Sequence, residues 1–296
     1  MFRIASPLAS SLRPLGRTLG ISFRLPPSLF STTPSTTWDG TSMSQTDMMQ
    51  KDMLITTTSH DEILGSESKY VAHAFSPSSP RGVVHRAFSV FLFHPRTSKM
   101  LLTRRASTKI TFPNVWTNAC CSHPLHGLSP SEVDSNTLQE VRDRGVNTEG
   151  VKNAAVRKLQ HELGIKELDV SRFHFVTRFH YWAADTLTYG SNPEWGEHEI
   201  DYILFAVGDP GMELNGEEVS EVMWVGMEEL KEMFEDPDML WSPWFKGIMD
   251  RKGYEYWNNL DAIVSSGNDE YVDKEIRYFD PDREFYADYN LKSEDL

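Results

Sequence analysis

Residues 86–93, Arg-Ala-Phe-Ser-Val-Phe-Leu-Phe, constrain the fold more than any other stretch of the chain. The run is dense in aromatic and β-favouring side chains, and so reads as a buried strand rather than a half-solvated one. After a turn at His94, Pro95 and Arg96, residues 100–103 read as its hairpin partner. Residues 151–163 have helix-forming composition. Ala155, Leu159 and Leu163 recur on one face, and Gly164 supplies a stop. Residues 173–182, 200–207 and 219–225 read as three further strands, and 227–234 as a short helix. Strands and helices interleave without a regular βαβ rhythm, so the expected class is α+β with a mixed sheet. The stretch 129–147 is polar with few apolar anchors and reads as an insertion or long loop.

The two ends differ from this middle. Arg3, Arg13, Arg17 and Arg24 precede the first acidic residue, Asp39, in a segment rich in Ser, Thr and Pro. That is the composition of an organellar presequence, or of a disordered leader. Residues 1–45 are therefore set apart from a domain over 51–250. The catalytic form is expected in the cytoplasm, and the full chain in the mitochondrion if the leader is functional. Residues 251–296 form an acidic C-terminal extension, helical or irregular, whose Tyr, Trp and Phe side chains should pack on the domain. With 29 Lys+Arg against 43 Asp+Glu the chain is no general nucleic-acid binder, although a local basic pocket can still take a small anion. No run approaches the ~18 apolar residues of a membrane span. The only cysteines, Cys120 and Cys121, are adjacent and cannot staple distant segments, which points to a reducing compartment.

Three groups of residues carry chemistry. In residues 116–124, WTNACCSHP, a polar loop presents Cys121 two residues from His123. In extended backbone the two point to the same side. Cys121 can serve as nucleophile, metal ligand or proton donor, against the bland alternative of a buried inert thiol. In residues 195–202, WGEHEIDY, Glu197 and Glu199 share one strand face and His198 takes the other. Two carboxylates so close call for a cation or a shared proton. The third group is Arg104, Arg105 and Lys109, suited to phosphate oxygens and next in sequence to the Cys/His loop.

TNACCSHP at 117–124, HRAFSVFLF at 85–93, HELGI at 161–165, WGEHEIDYILF at 195–205 and SPWF at 242–245, in that order and spacing, resemble type 1 isopentenyl-diphosphate delta-isomerase. The resemblance spans roughly residues 69–246. It implies a Nudix-like α/β/α sandwich with a mixed sheet, and interconversion of isopentenyl and dimethylallyl diphosphate in isoprenoid and sterol-precursor biosynthesis. It further implies metal ligands at His73, His85, His123, Glu197 and Glu199, with Glu162 helping to hold a diphosphate-bound Mg2+. Diphosphate contacts would fall on Lys69, Arg105, Lys109 and Ser122. The catalytic pair would be Cys121 and Glu199, with Tyr181 and Trp244 as further aromatic contacts. Mg2+, Mn2+ or Zn2+ suits three imidazoles and two carboxylates. The expected partners are the two diphosphates alone, with no nucleic acid and no membrane, and the expected state is a monomer.

A hydrolytic Nudix box aligned on the helix finds Arg157, Glu162, Gly164 and Ile165 in place and Glu149 on its first Glu. Asp143 replaces the leading Gly, while Lys158 and His161 replace two metal-binding carboxylates. That disfavours the alternative reading as a Nudix diphosphatase acting on a small organic diphosphate. A cysteine hydrolase would need neither the Glu pair nor the basic loop. A non-catalytic metal-binding module would need no thiol.

Overall fold

The computed structural model describes residues 43–76, 78–265 and 269–279. The first 42 residues, with the expected targeting signal, and residues 280–296 of the extension lie outside them. Ten strands join in one sheet: β1 Met53–Thr57, β2 Ile63–Ser68, β3 His85–Phe93, β4 Met100–Arg105, β5 Trp116–Asn118, β6 Cys120–Ser122, β7 His174–Ala184, β8 Gly196–Val207, β9 Val219–Val225 and β10 Ile276–Phe279. The helices are α1 Gln45–Lys51, α2 Lys69–His73, α3 Leu138–Arg144, α4 Glu149–Leu163, α5 Thr186–Tyr189, α6 Met227–Phe234, α7 Pro243–Ile248, α8 Tyr254–Asn258 and α9 Leu260–Ile263. None is long and apolar enough to cross a membrane.

The apolar run 86–93 does become the central strand, with every residue of β3 buried. One edge pairs in parallel with β8 along its whole length. The other edge is shared in turn by β1 at His85, β6 at Phe88 to Val90 and β4 at Phe93. The expected hairpin is therefore a single pair, Phe93 with Met100. Beyond it β4 swings away to pair with β5 and β9. That divergence opens room for β6, and so for Cys121, beside the middle of β3.

Side chains alternate across β3. Phe88, Val90 and Leu92 pack under α4 with Ala155, Leu159 and Leu163. Phe91 and Phe93 pack with Phe245, Trp257 and Leu260 from the C-terminal helices. The result is a mixed sheet between two helical layers. Helix α4 ends as its sequence requires, at Gly164 in the left-handed region (φ 68°), with its N–H returned to the Gln160 carbonyl.

Four boundaries differ from the sequence reading. The domain begins before residue 51, because Met48 and Met49 of α1 are buried beside α2 and Gln45 donates to the Glu217 carbonyl at 3.1 Å. Strand β8 begins at Gly196, not 200, so both carboxylates of the Glu pair lie within the sheet. The polar stretch 129–147 is no loose loop. Thr137 and Glu140 form a capping box on α3. Asp134 accepts from the N–H groups of Gly150 and Val151, which caps α4, and Glu132 takes the Arg157 guanidinium. Its buried polar side chains anchor it where apolar ones are few. Finally, the acidic extension is neither purely helical nor irregular: β10 adds a parallel strand to β7, and Phe279 enters the core.

A chain beginning at residue 52 is expected to be less stable than one beginning at residue 43 by about 3 kcal/mol, since two buried methionine side chains are lost. Denaturant unfolding of the two truncated proteins checks this. Equal midpoints would show that α1 contributes nothing.

Candidate metal and acid–base centre

Strand register builds the centre. His85 of β3 lies opposite Glu199 of β8, which lies opposite Tyr181 of β7, so three side chains stand in one row across the sheet. Glu197 follows two residues from Glu199 on the same face, and His198 turns to the other face to meet His180 at 3.0 Å. Above the row, α2 contributes His73 and the end of β6 contributes His123. The five side chains His73, His85, His123, Glu197 and Glu199 are all buried, and their ligand atoms lie within 4.8 Å of one another.

The contacts inside the cluster are those of donors aimed at a shared point. His73 Nε2 lies 2.7 Å from Glu197 Oε2, yet neither atom has a hydrogen-bond partner of proper geometry. His123 Nε2 is 2.8 Å from Glu199 Oε1, and His85 Nε2 is 3.7 Å from it and also unpartnered. His73 and His85 use their Nδ1 atoms on the carbonyls of Lys69 (2.8 Å) and Val83 (2.7 Å). Those bonds fix the tautomer that leaves each Nε2 lone pair facing inward. A buried polar atom without a partner costs about 1–3 kcal/mol, and three converge here. The donor set of three imidazoles and two carboxylates fits a divalent metal, which satisfies all three.

Burial, against the opposing pull of Glu197, pushes the His73 imidazole down, and burial with His85 and His73 beside it pushes His123 well down. Neutral imidazoles are the ligand form. Burial works to raise both carboxyls, but His73 at Glu197 and His85 at Glu199 outweigh it and hold them below the usual range. Two residues further on, burial and then Glu199 push Asp201 well above the carboxylate range. Its Oδ2 accepts from Ser89 Oγ at 2.8 Å.

Cys121 lines the same pocket from the far edge of β3, with β3 lying between its strand and that of Glu199. Its Sγ donates to Asn118 Oδ1 at 2.9 Å and accepts from Trp244 Nε1 at 3.0 Å. The Asn118 amide is itself held by the carbonyls of Val90 and Cys120. Burial, followed by Asp201, pushes the thiol up to about 12, so the sulfur keeps its proton. That is wrong for a nucleophilic cysteine and right for a proton donor. Across the pocket Tyr181 Oη donates to Glu199 Oε2 at 2.6 Å.

Lys69, Arg105, Lys109 and Ser122 complete the lining. Arg105 donates to the carbonyls of Phe112 and Thr111, which pins the loop after β4, and its guanidinium lies 5.6 Å from the Trp244 ring. Burial, then Lys109 and Lys158, push Lys69 down to about 8. The local surplus of cations suits an anionic group.

One residue of the basic group stands elsewhere. Arg104 turns outward to Glu221 at 2.6 Å, because it alternates with Arg105 along β4. Glu162 lies outside the cluster of five, on buried α4, with its carboxylate 3.0 Å from Lys158. Conversely, Asn118, Ser89, Asp201 and Glu218 were not singled out. Asn118, Ser89 and Asp201 sit inside the TNACCSHP, HRAFSVFLF and WGEHEIDYILF motifs and are within reach of sequence reasoning. Glu218 lies outside every motif and meets Lys109 only through the tertiary fold. Two roomier cavities, of about 500 and 440 Å3, hold none of the expected site residues.

A NUDIX domain family matches residues 83–245 of the chain. An isopentenyl-diphosphate delta-isomerase of Gibberella zeae is 46% identical over 73% of this chain and 79% of its own length. One from Schizosaccharomyces pombe is 48% identical over 61% of this chain and 73% of its own length. Isopentenyl-diphosphate Delta-isomerase I of Clarkia breweri is 38% identical over 72% and 70%.

Proposed function

Because the chain belongs to the Nudix superfamily, and within it to the type 1 isopentenyl-diphosphate delta-isomerases, we propose that the pocket between Cys121 and Glu199 is where it performs that reaction. The protein is an isomerase of isoprenoid biosynthesis that interconverts isopentenyl and dimethylallyl diphosphate. An unactivated C=C must gain a proton at one carbon, and the tertiary carbocation so formed must lose one from another. Two proton-transfer groups on either side of a thin allylic unit meet that need.

Cys121 and Glu199 are assigned those two roles. The observation that carries the assignment is their placement in one buried pocket from strands on the two edges of β3, each held by its own hydrogen bonds. Trp244 lines the pocket beside the thiol and offers its π-face to the cation, while its indole N–H fixes the sulfur. Tyr181 orients the Glu199 carboxyl through Oε2. Lys69, Arg105, Lys109 and Ser122 anchor the diphosphate and so pre-align the hydrocarbon end. Phe112 packs edge-on against Trp244 at 5.3 Å between ring centres and holds the indole in place.

His73, His85, His123, Glu197 and Glu199 would hold a divalent metal, whose positive charge would bias the protonation of the Glu199 carboxyl. Mg2+, Mn2+ and Zn2+ all suit the donor set. Glu162, which faces Lys158 at 3.0 Å, is assigned to help hold a divalent ion bound to the diphosphate, whose charge would help neutralise the phosphate oxygens. Hydrolysis is not favoured, since Lys158 and His161 stand where the box of a hydrolase carries metal-binding carboxylates.

Proton NMR of isopentenyl diphosphate with the enzyme in deuterated water tests the reading. Dimethylallyl diphosphate carrying deuterium is expected. Phosphate release without deuterium uptake would favour the diphosphatase instead.

A further inference from the structure

Behind the pocket wall Lys158 adds a further buried cation, and of the two buried carboxylates that meet it, Glu162 and Glu218, only Glu218 also reaches Lys109. Lys109 lines the pocket, and Lys158 of α4 lies behind it. Between them sits Glu218, in the turn before β9 and only 2% exposed. Its Oε2 accepts a very short bond from the Lys109 ammonium, and its Oε1 lies 3.6 Å from Lys158 Nζ with no hydrogen bond of its own. Lys158 also contacts Glu162 at 3.0 Å and His161 at 3.2 Å. Burial works to raise the Glu218 carboxyl, but Lys109 and Lys158 outweigh it and hold it well below the usual range.

We propose that Glu218 is a positioning residue of the diphosphate site, which holds the Lys109 ammonium at the pocket wall against repulsion from Lys158. This rests on the isomerase reading and adds a residue to it. Two buried ammonium groups this close repel each other strongly in a low-dielectric setting. Left alone, Lys109 would turn away from Lys158, which removes a phosphate contact. A carboxylate bridging both keeps the cation aimed into the pocket before substrate arrives. Glu218 does not itself touch the diphosphate, because its oxygens lie behind the lysines. The backbone explains why this side chain stays in place. The Glu218 N–H donates to the Asn215 carbonyl and its own carbonyl accepts from Ala106, which ties the turn to the loop that carries Lys109. These bonds survive side-chain replacement, so the role of the carboxylate can be separated from that of the turn.

The alternative is a buried ion pair that only stabilises the fold. Such pairs often contribute little net stability, because desolvation offsets the attraction. The two roles differ in what they move. Glu218→Gln is expected to raise KM for isopentenyl diphosphate about tenfold, the equivalent of about 1.4 kcal/mol. It should raise the Kd of inorganic diphosphate with Mg2+ by a similar factor, while kcat stays within about threefold. Glu218→Asp keeps the charge but shortens the reach, so its KM should fall between those of wild type and Glu218→Gln. In a Lys109→Met background, adding Glu218→Gln should change KM less than twofold, because the carboxylate acts through that lysine.

An unchanged KM, a loss confined to kcat, or a full additional tenfold rise in the Lys109→Met background would each overturn the proposal. If Glu218→Gln does not fold, Glu218→Asp with and without Lys109→Met carries the same test. Wild-type protein that fails to isomerise isopentenyl diphosphate would instead refute the isomerase reading, and diphosphate binding would still decide the role of Glu218.

Discussion

Cys121→Ala is expected to lower kcat for isomerisation by about a thousandfold or more, the order of effect that a general acid–base group contributes. Metal content, KM and the unfolding midpoint should stay near those of wild type. The thiol is not among the five converging ligands, and it is held by Asn118 and Trp244, which remain. Removing one sulfur atom from a half-buried site costs about 1 kcal/mol of stability, too little to explain a lost activity. The adjacent cysteine provides the control. Cys120 faces the opposite side of the sheet, buried under α4 with Leu159 and Ala155, and burial pushes its thiol up well beyond ordinary titration. Cys120→Ala should therefore leave turnover within about threefold, with whatever loss it causes appearing as stability. Steady-state kinetics and deuterium uptake on both variants separate the two residues. Equal losses at both positions would sink the division of roles within the pair.

The same alternation explains what could be read from the sequence and what could not. The 86–93 run, the 151–163 helix with its Gly164 stop, and strand 219–225 were legible because each carries its own periodicity or punctuation. The hairpin was legible only at its tip. Whether β4 stays beside β3 or diverges to β9 is settled by pairing across more than 100 residues, which no local pattern encodes. The stretch 129–147 reads as a loop from its few apolar residues. Its anchors are Glu132, Asp134 and Asn136, polar side chains buried against specific partners. Within the site, motif spacing pointed to residues that share a strand, such as Glu197 with Glu199. It had no means of pointing to Glu218, which meets Lys109 across 109 positions.

Glu199 is the residue on which both halves of the centre depend, and replacing it should have the largest effect of any single change. Glu197→Gln and Glu199→Gln are both expected to weaken metal binding, by about 10- to 100-fold or more, since each removes a charged donor from a cluster of five. Their activities should then diverge. Glu197 meets His73 at 2.7 Å and His123 at 4.0 Å, both on the metal side of the centre, so excess metal should restore part of the turnover of its variant. Glu199 faces His123 through Oε1 and takes the Tyr181 hydroxyl on Oε2. An amide there can neither take nor return a proton at neutral pH. Saturating metal should therefore refill the Glu199→Gln centre and leave kcat about a thousandfold or more below wild type. Metal analysis alongside turnover, followed across a titration with added Mg2+, Mn2+ or Zn2+, distinguishes the two. If Glu199→Gln regains wild-type turnover once the metal is restored, Glu199 is a ligand only, and the proton-transfer partner of Cys121 must be another group. Asp201 would then be the first to test, since its carboxyl lies on the same strand face and shares Ser89 with the thiol.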